Sequence, residues 1–200
     1  MTLYKGKYRI ESARRPGYDY SSPGSYFITI CTKDRIHYFG DVVVVETPDS
    51  GVSTTPIAKI QLSDAGKIAD KYWNEIPEHF PQVILDTFQI MPNHIHGIIQ
   101  IIDLHVQTPD CGVSIPFLPF EKETPDSGIS AQNAHGRPTI GIIINQFKRI
   151  CTLKTNKSGI NFAWQPRFHD HIILDDMELQ RIRTYIKNNP HNWVNDKFNK

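Results

Sequence analysis

Met91-Pro92-Asn93-His94-Ile95-His96-Gly97 separates two apolar runs, 83–90 and 98–102, and its reading decides the fold. Apolar runs of that length on either side of a Pro-Asn break read as the arms of a β-hairpin. Side chains in a strand alternate between faces, so His94 and His96 point the same way and Ile95 points into the opposite, buried layer. Two imidazoles on one patch of sheet make half of a divalent metal site. Neutral imidazole is a common ligand, and a third side chain, water and substrate oxygens can fill the remaining positions.

With 200 residues and 39% apolar content, the chain is long enough for one domain with a real core. It has no apolar run long enough to span a bilayer and no signal-peptide-type segment, so a cytoplasmic protein with no membrane partner is expected. Cys31, Cys111 and Cys151 are odd in number and far apart, which predicts neither a disulfide framework nor a zinc knuckle. Net charge is only +1, yet it is unevenly spread. Residues 1–40 carry seven Lys/Arg against three Asp/Glu, and 138–200 carry ten against five, while 41–137 carry five against thirteen. Basic ends that meet in the fold would form a phosphate-binding surface.

Along the chain, Arg9, Arg14 and Arg15 mix with Tyr8, Tyr18 and Tyr20. That composition fits a single-stranded nucleic-acid contact and fits an irregular N-terminal arm equally well. Strands are expected at 25–32 and 42–45. Ser63 is a helix N-cap, followed by Ala65, Ile68, Ala69, Tyr72, Trp73 and Ile76 at helical spacing. The central hairpin pairs 83–91 with 94–102. Pro138 opens a second helix with the stripe Ile140, Ile143, Ile144, Phe147 and Cys151, leaving Lys148, Arg149 and Lys154 off that face. A strand at 164–173 follows, and Asp175 with Glu178 caps a last helix running to about 188, before Pro190. This order predicts an α+β, split βαβ, ferredoxin-like antiparallel sheet with an extra C-terminal helix, as one domain over 1–200.

Thr47-Pro-Asp-Ser-Gly-Val-Ser53 recurs as Thr108-Pro-Asp-Cys-Gly-Val-Ser114 and as Thr124-Pro-Asp-Ser-Gly-Ile-Ser130. Irregular spacing rules out a solenoid. Pro-Asp-Ser-Gly is turn chemistry, so these heptapeptides are read as loop insertions near 46–56 and 103–137, tolerated because loop length costs little.

The last helix holds Tyr185-Ile186-Lys187-Asn188-Asn189-Pro190, with Tyr185 at the margin of the stripe Leu179, Ile182, Ile186 and Asn189 one turn later. Together with His-hydrophobic-His after Met-Pro-Asn, this segment resembles the HUH nucleases. The closest likeness is to the single-tyrosine, IS200-like transposases, including the group associated with repetitive extragenic palindromes. Gln146-Phe147-Lys148, Trp164-Gln165 and Asp170-His171-Ile172-Ile173 look like that family's second helix and last strand. The resemblance implies the same ferredoxin-like sheet with Tyr185 as nucleophile. It also implies Mg2+ or Mn2+ held by His94, His96 and Asn189, and single-stranded DNA with hairpin or palindromic ends as substrate. Arg14, Arg15, Lys148 and Arg149 are the candidate DNA contacts.

Such a site would nick and rejoin DNA in transposition through a 5′-phosphotyrosine intermediate. The alternative is a catalytically silent hairpin-binding protein on the same fold. His169-Asp170-His171 is a second His-x-His, ranked lower because Asp170 is a poor anchor for a buried strand, with His171 expected to orient the metal ligands. The sequence leaves open a homodimer in which a partner's helix completes the site.

Overall fold

The computed structural model of the protein describes residues 14–45, 57–103 and 137–199 in full, together with two short paired strands near the N-terminus, β1 (Leu3–Tyr4) and β2 (Lys7–Tyr8). The three heptapeptides and both expected insertions, apart from the end residues Asp103 and Arg137, lie outside these described residues, as do Arg9 and Cys111. There follow β3 (Gly24–Cys31), β4 (Gly40–Val45), β5 (Ile57–Leu62), α1 (Asp64–Asn74), α2 (Ile76–His79), β6 (Val83–Met91), β7 (His94–Ile101), α3 (Ile140–Lys157), β8 (His169–Ile173) and α4 (Asp176–Asn192).

The main sheet runs β6-β7-β3-β8, antiparallel throughout. With α1 between β3 and β6, and α3 between β7 and β8, this is the split βαβ arrangement that the element order predicts. β4 and β5 form a separate hairpin inserted before α1. β5 is an element that the sequence reading passed over. The last strand is shorter than expected, because Trp164 makes only an isolated bridge to Thr32 before the chain turns into β8.

Local signals explain the helix starts. The Ser63 hydroxyl accepts from the Gly66 N–H at 3.1 Å, and Thr139, one residue past the expected Pro138, accepts from Ile142 at 3.3 Å. Asp175 accepts from the Glu178 N–H at 2.7 Å. Glu178 reaches back to the Leu174 N–H at 3.1 Å, so the cap is reciprocal. The end of α4 departs from expectation: the helix runs through Pro190 to Asn192. Pro190 forfeits one backbone bond in the last turn, but its ring and the Asn189 side chain are both buried, and that packing overrides the local preference.

The period-2 alternation of β7 divides the molecule. Ile95, Ile99 and Ile101 join Tyr26, Ile28 and Ile30 beneath α1 and α3, where Trp73, Ile143, Ile144 and Phe147 complete the main core. Gly97 is required there: a Cβ on it would fall 2.3 Å from Cζ2 of Trp73, so the indole lies directly on the strand. On the other face, Ile98 meets Ile173, Ile182 and Ile186 of β8 and α4. Arg183 of α4 also grips the Asp86 carboxylate through Nε at 3.0 and 3.2 Å and through Nη2. Asp86 lies in the irregular stretch of β6. At the far end of β7, Arg137 Nη2 donates to Asp103 Oδ2 at 2.8 Å, tying together the two ends of the segment between β7 and α3. Among the described residues no helix is long and apolar enough to cross a membrane.

Candidate active site on the α4 face

The turn Pro92-Asn93 sets the histidines in place. Its carbonyls are bound from outside the hairpin: Asn93 O accepts from the Thr32 N–H at 2.9 Å, and Pro92 O accepts from the Phe39 N–H at 3.0 Å. His94 and His96 are then fully buried on the α4 face, with ring centroids 4.5 Å apart.

Hydrogen bonds fix which ring nitrogens are available. Asn93 Nδ2 donates to the carbonyls of Arg35 at 3.1 Å and Phe198 at 2.8 Å. Asn93 Oδ1 is therefore the end that faces His94 Nδ1, at 2.9 Å. His94 carries its proton on Nδ1, and Nε2 keeps a lone pair that is buried with no hydrogen-bond partner. Likewise His96 Nδ1 meets the Thr29 hydroxyl at 2.9 Å, leaving Nε2 directed at the Tyr185 hydroxyl, 3.3 Å away. Burial pushes the His94 pKa down to about 2, aided by the neighbouring His96 ring and the Arg35 guanidinium. Burial pushes His96 down to about 3, aided by Lys197 and His169. Both rings are neutral at physiological pH, the form in which imidazole binds a metal.

α4 supplies the other half. Ile182, Ile186, Asn189 and Pro190 form its buried stripe, and Tyr185 stands at the flank, 41% exposed. The Tyr185 ring lies 5.3 Å from His96 and edge-on to Phe27 at 6.2 Å. Burial and the nearby Asp196 raise its phenol above the ordinary value, partly offset by Asn189. Asn189 is 1% exposed, and its Oδ1 is buried with no hydrogen-bond partner. Asn189 also bears on His94, whose imidazolium it favours. Two orphaned acceptors, His94 Nε2 and Asn189 Oδ1, thus lie together beside His96 Nε2. Among the described residues no three His, Cys, Asp or Glu side chains cluster as metal ligands, so the amide is the third protein donor at hand. Two neutral imidazoles and one amide oxygen fit a divalent ion that keeps open positions.

Phe198 roofs the site. Its ring lies 4.5 Å from His94 and 5.7 Å from His96, and the Arg35 guanidinium lies over the same ring, 4.2 Å from its centroid. Arg35 itself sits in the left-handed region with φ +58°, next to Asp34 at +53°. Sequence reasoning missed Thr29, Arg35 and Phe198 and saw Asn93 only as a turn residue. The Met-Pro-Asn-His adjacency was the one available signal for the last.

The expected DNA contacts fare differently. Arg14 Nε donates to the Asp170 carboxylate at 2.9 Å, and its guanidinium lies over Tyr20 and Phe168. Tyr18 and Tyr20 pack with Tyr26 in the main core, so this arm is structural where it is described. Lys148 Nζ donates to the carbonyls of Gln165 at 2.8 Å and Arg167 at 2.9 Å, holding the chain ahead of β8. Arg15 and Arg149 are exposed. As for the second pair, His169 and His171 share the α4 face, in register with Thr29 and Phe27. His171 bonds Glu178 at 2.9 Å and no metal donor, while Asp170 is buried and anchors β8 through Arg14, which the apolar-anchor argument did not foresee.

No protein-family model matches the sequence. A Haemophilus influenzae protein described only as uncharacterized is 35% identical over 194 residues, covering 96% of this chain and 94% of that protein. The two chains belong to one family. Among solved structures, a REP-associated tyrosine transposase bound to a REP hairpin superposes with a TM-score of 0.52 at 16% identity, over 93% of this chain and 77% of that one. The fold is similar to that of the REP-associated tyrosine transposase. Within this one chain the Tyr185 hydroxyl approaches the histidine pair, 3.3 Å from His96 Nε2.

Proposed function

We propose that this protein is a metal-dependent, single-strand DNA transposase or endonuclease that nicks and rejoins DNA through Tyr185. The observation that carries the reading is the 3.3 Å approach of the Tyr185 hydroxyl to His96 Nε2, beside the orphaned His94 Nε2 and Asn189 Oδ1. A pure binding protein needs no buried, unpaired acceptors under a half-exposed phenol. Support for DNA as substrate comes from the fold neighbour, which is bound to a REP hairpin.

His94, His96 and Asn189 would hold the divalent ion, Mg2+ or Mn2+, whose charge would offset the negative charge that builds on a phosphodiester during displacement. Tyr185 Oη attacks the phosphorus, the bond to the 3′-oxygen breaks, and the 5′-phosphate stays on the tyrosine. The phenol loses its proton and the 3′-oxygen gains one. Because the phosphoester is kept in covalent form, a later 3′-hydroxyl can rejoin the strand by the reverse displacement. Burial keeps the phenol neutral before attack, so its proton departs only as the new bond forms. Asn93 holds His94 in the tautomer that exposes Nε2, and Thr29 orients the His96 ring so that its Nε2 faces Tyr185.

The test is a denaturing gel of 5′-end and 3′-end labelled single strands with hairpin ends, incubated with Mg2+ or Mn2+. A protein–DNA adduct that needs the metal, carries the 3′-label and vanishes in Tyr185→Phe is the expected result. Hairpin binding without cleavage at any metal would make the silent binder the correct reading.

A further inference from the structure

The two rings of the second histidine pair differ in what holds them. His171 Nε2 is bonded to Glu178 at 2.9 Å. His169 is exposed, and among the described residues its ring makes no hydrogen bond or ion pair. Their places on the sheet differ too. β3 pairs with β7 on one side and β8 on the other, so Thr29 has His96 as its neighbour in one direction and His169 in the other. Cross-strand neighbours share a face, and the row His96, Thr29, His169 therefore lies wholly on the α4 side. Its two outer members stand two strand spacings apart, about 10 Å at the backbone. They are near enough for the charge of His169 to bear on His96. His171 belongs to the next row, opposite Phe27.

Access to this row comes from the β3 and β8 side. α4 crosses β7 toward β6, where Arg183 grips Asp86, and Phe198 lies over His94 and His96. Tyr185 leans out from α4 over β3, edge-on to Phe27, and is 41% exposed. A phosphodiester within reach of the Tyr185 hydroxyl therefore lies above Thr29, with His96 behind the nucleophile and His169 ahead of it. In an in-line displacement the leaving oxygen departs opposite the attacking one, so the 3′-oxygen is driven toward β8. We infer that His169 is the catalytic acid of the strand-breaking step, donating its ring proton to the departing 3′-oxygen. Tyr185 Oη bonds to phosphorus as the bond from phosphorus to the 3′-oxygen breaks. The phenol proton leaves to water at the exposed flank, the 3′-oxygen takes the proton of the His169 imidazolium, and a neutral ring remains. In rejoining, that neutral ring takes the proton of the incoming 3′-hydroxyl. Histidine suits both directions because it changes charge near neutral pH. The inference rests on the tyrosine-nuclease reading above and adds to it the group that serves the leaving strand.

Single-turnover cleavage of a hairpin-ended single strand by the full chain in Mn2+ tests it, with either the ordinary 3′-oxygen or a bridging 3′-sulfur at the scissile bond. Sulfur departs as a thiolate and needs no proton. His169→Ala should slow cleavage of the oxygen strand about 100-fold and of the sulfur strand by less than about threefold. Hairpin affinity and Mn2+ affinity, read by titration calorimetry, should be unchanged. Should His169→Ala fail to fold by circular dichroism, His169→Gln carries the same test with the same expected result, since its amide can donate a hydrogen bond but cannot give up a proton. Equal slowing of both strands would assign His169 to binding or packing, and an unchanged rate on the oxygen strand would leave it no part in cleavage. Either outcome overturns the acid while the tyrosine reading stands. A wild type that cleaves neither strand overturns that reading, and the role of His169 with it.

Discussion

The two faces of strand β7 are built for opposite ends. On the α1/α3 side, Ile95, Ile99 and Ile101 lie among large apolar groups, and Trp73 seats on Gly97. On the α4 side the same strand presents His94 and His96, fully desolvated, with Nε2 of His94 unpaired beneath a helix that also buries an unpaired amide oxygen. One face gains stability from burial. The other gives some up, since a buried polar group with no partner costs free energy that its neighbours must supply. Stability and reactivity are thus separated by one residue of register, and a slip of one position would exchange them.

Four measurements would break or sharpen that contrast. The largest effect belongs to Tyr185→Phe: loss of the covalent adduct outright, with urea stability changed by less than about 0.5 kcal/mol because the hydroxyl is at a half-exposed flank. A matching loss of stability would mean that the phenol is a packing group. Next, Trp73→Ala on the opposite face should cost about 3–5 kcal/mol in the same titration. A cost under about 1 kcal/mol would show that the main core does not lie where it is placed here.

Third, the histidines should make the protein acid-sensitive in metal-free buffer. In the unfolded chain each protonates near its ordinary value, about 6.5. In the folded chain neither does until about 2 or 3. Below that ordinary value the unfolded state binds more protons, so stability falls with falling pH by up to about 1.4 kcal/mol per pH unit for each ring. His94→Gln should remove about half of the slope between neutrality and mild acid, and an unchanged slope would place the sensitivity elsewhere.

The smallest effect is at Arg183, which holds Asp86 below the usual carboxylate range. That ion pair contributes fully above the ordinary aspartate value and is lost as pH falls through the lower folded value. Arg183→Ala should speed amide hydrogen exchange in α4 relative to α3, with the difference fading in acid. Equal acceleration of both helices would mean that α4 is not anchored independently.

Much of this was legible in sequence because the signals are local. The His-Ile-His alternation placed both imidazoles on one face, and Ser63 and Asp175 marked their helices through side-chain caps that form within three residues. What the sequence hid depends on distant partners. Arg14 and Lys148 read as free cations, and nothing near them in the chain announces Asp170 or the Gln165 and Arg167 carbonyls. The Pro190 ring suggested a helix end, but burial from the sheet below carries α4 through it. β5 alternates Ile57-Ala-Lys-Ile-Gln-Leu62 as an edge strand should, and it was lost because it abuts a turn-rich repeat.

The Arg137–Asp103 pair gives the gene a tolerant address. It fixes the two ends of the segment between β7 and α3 at the end of β7 remote from His94. Closing a loop on fixed ends costs only logarithmically more as the loop lengthens. Codons gained or lost between those two residues should therefore leave the geometry of the histidines to be inherited unchanged.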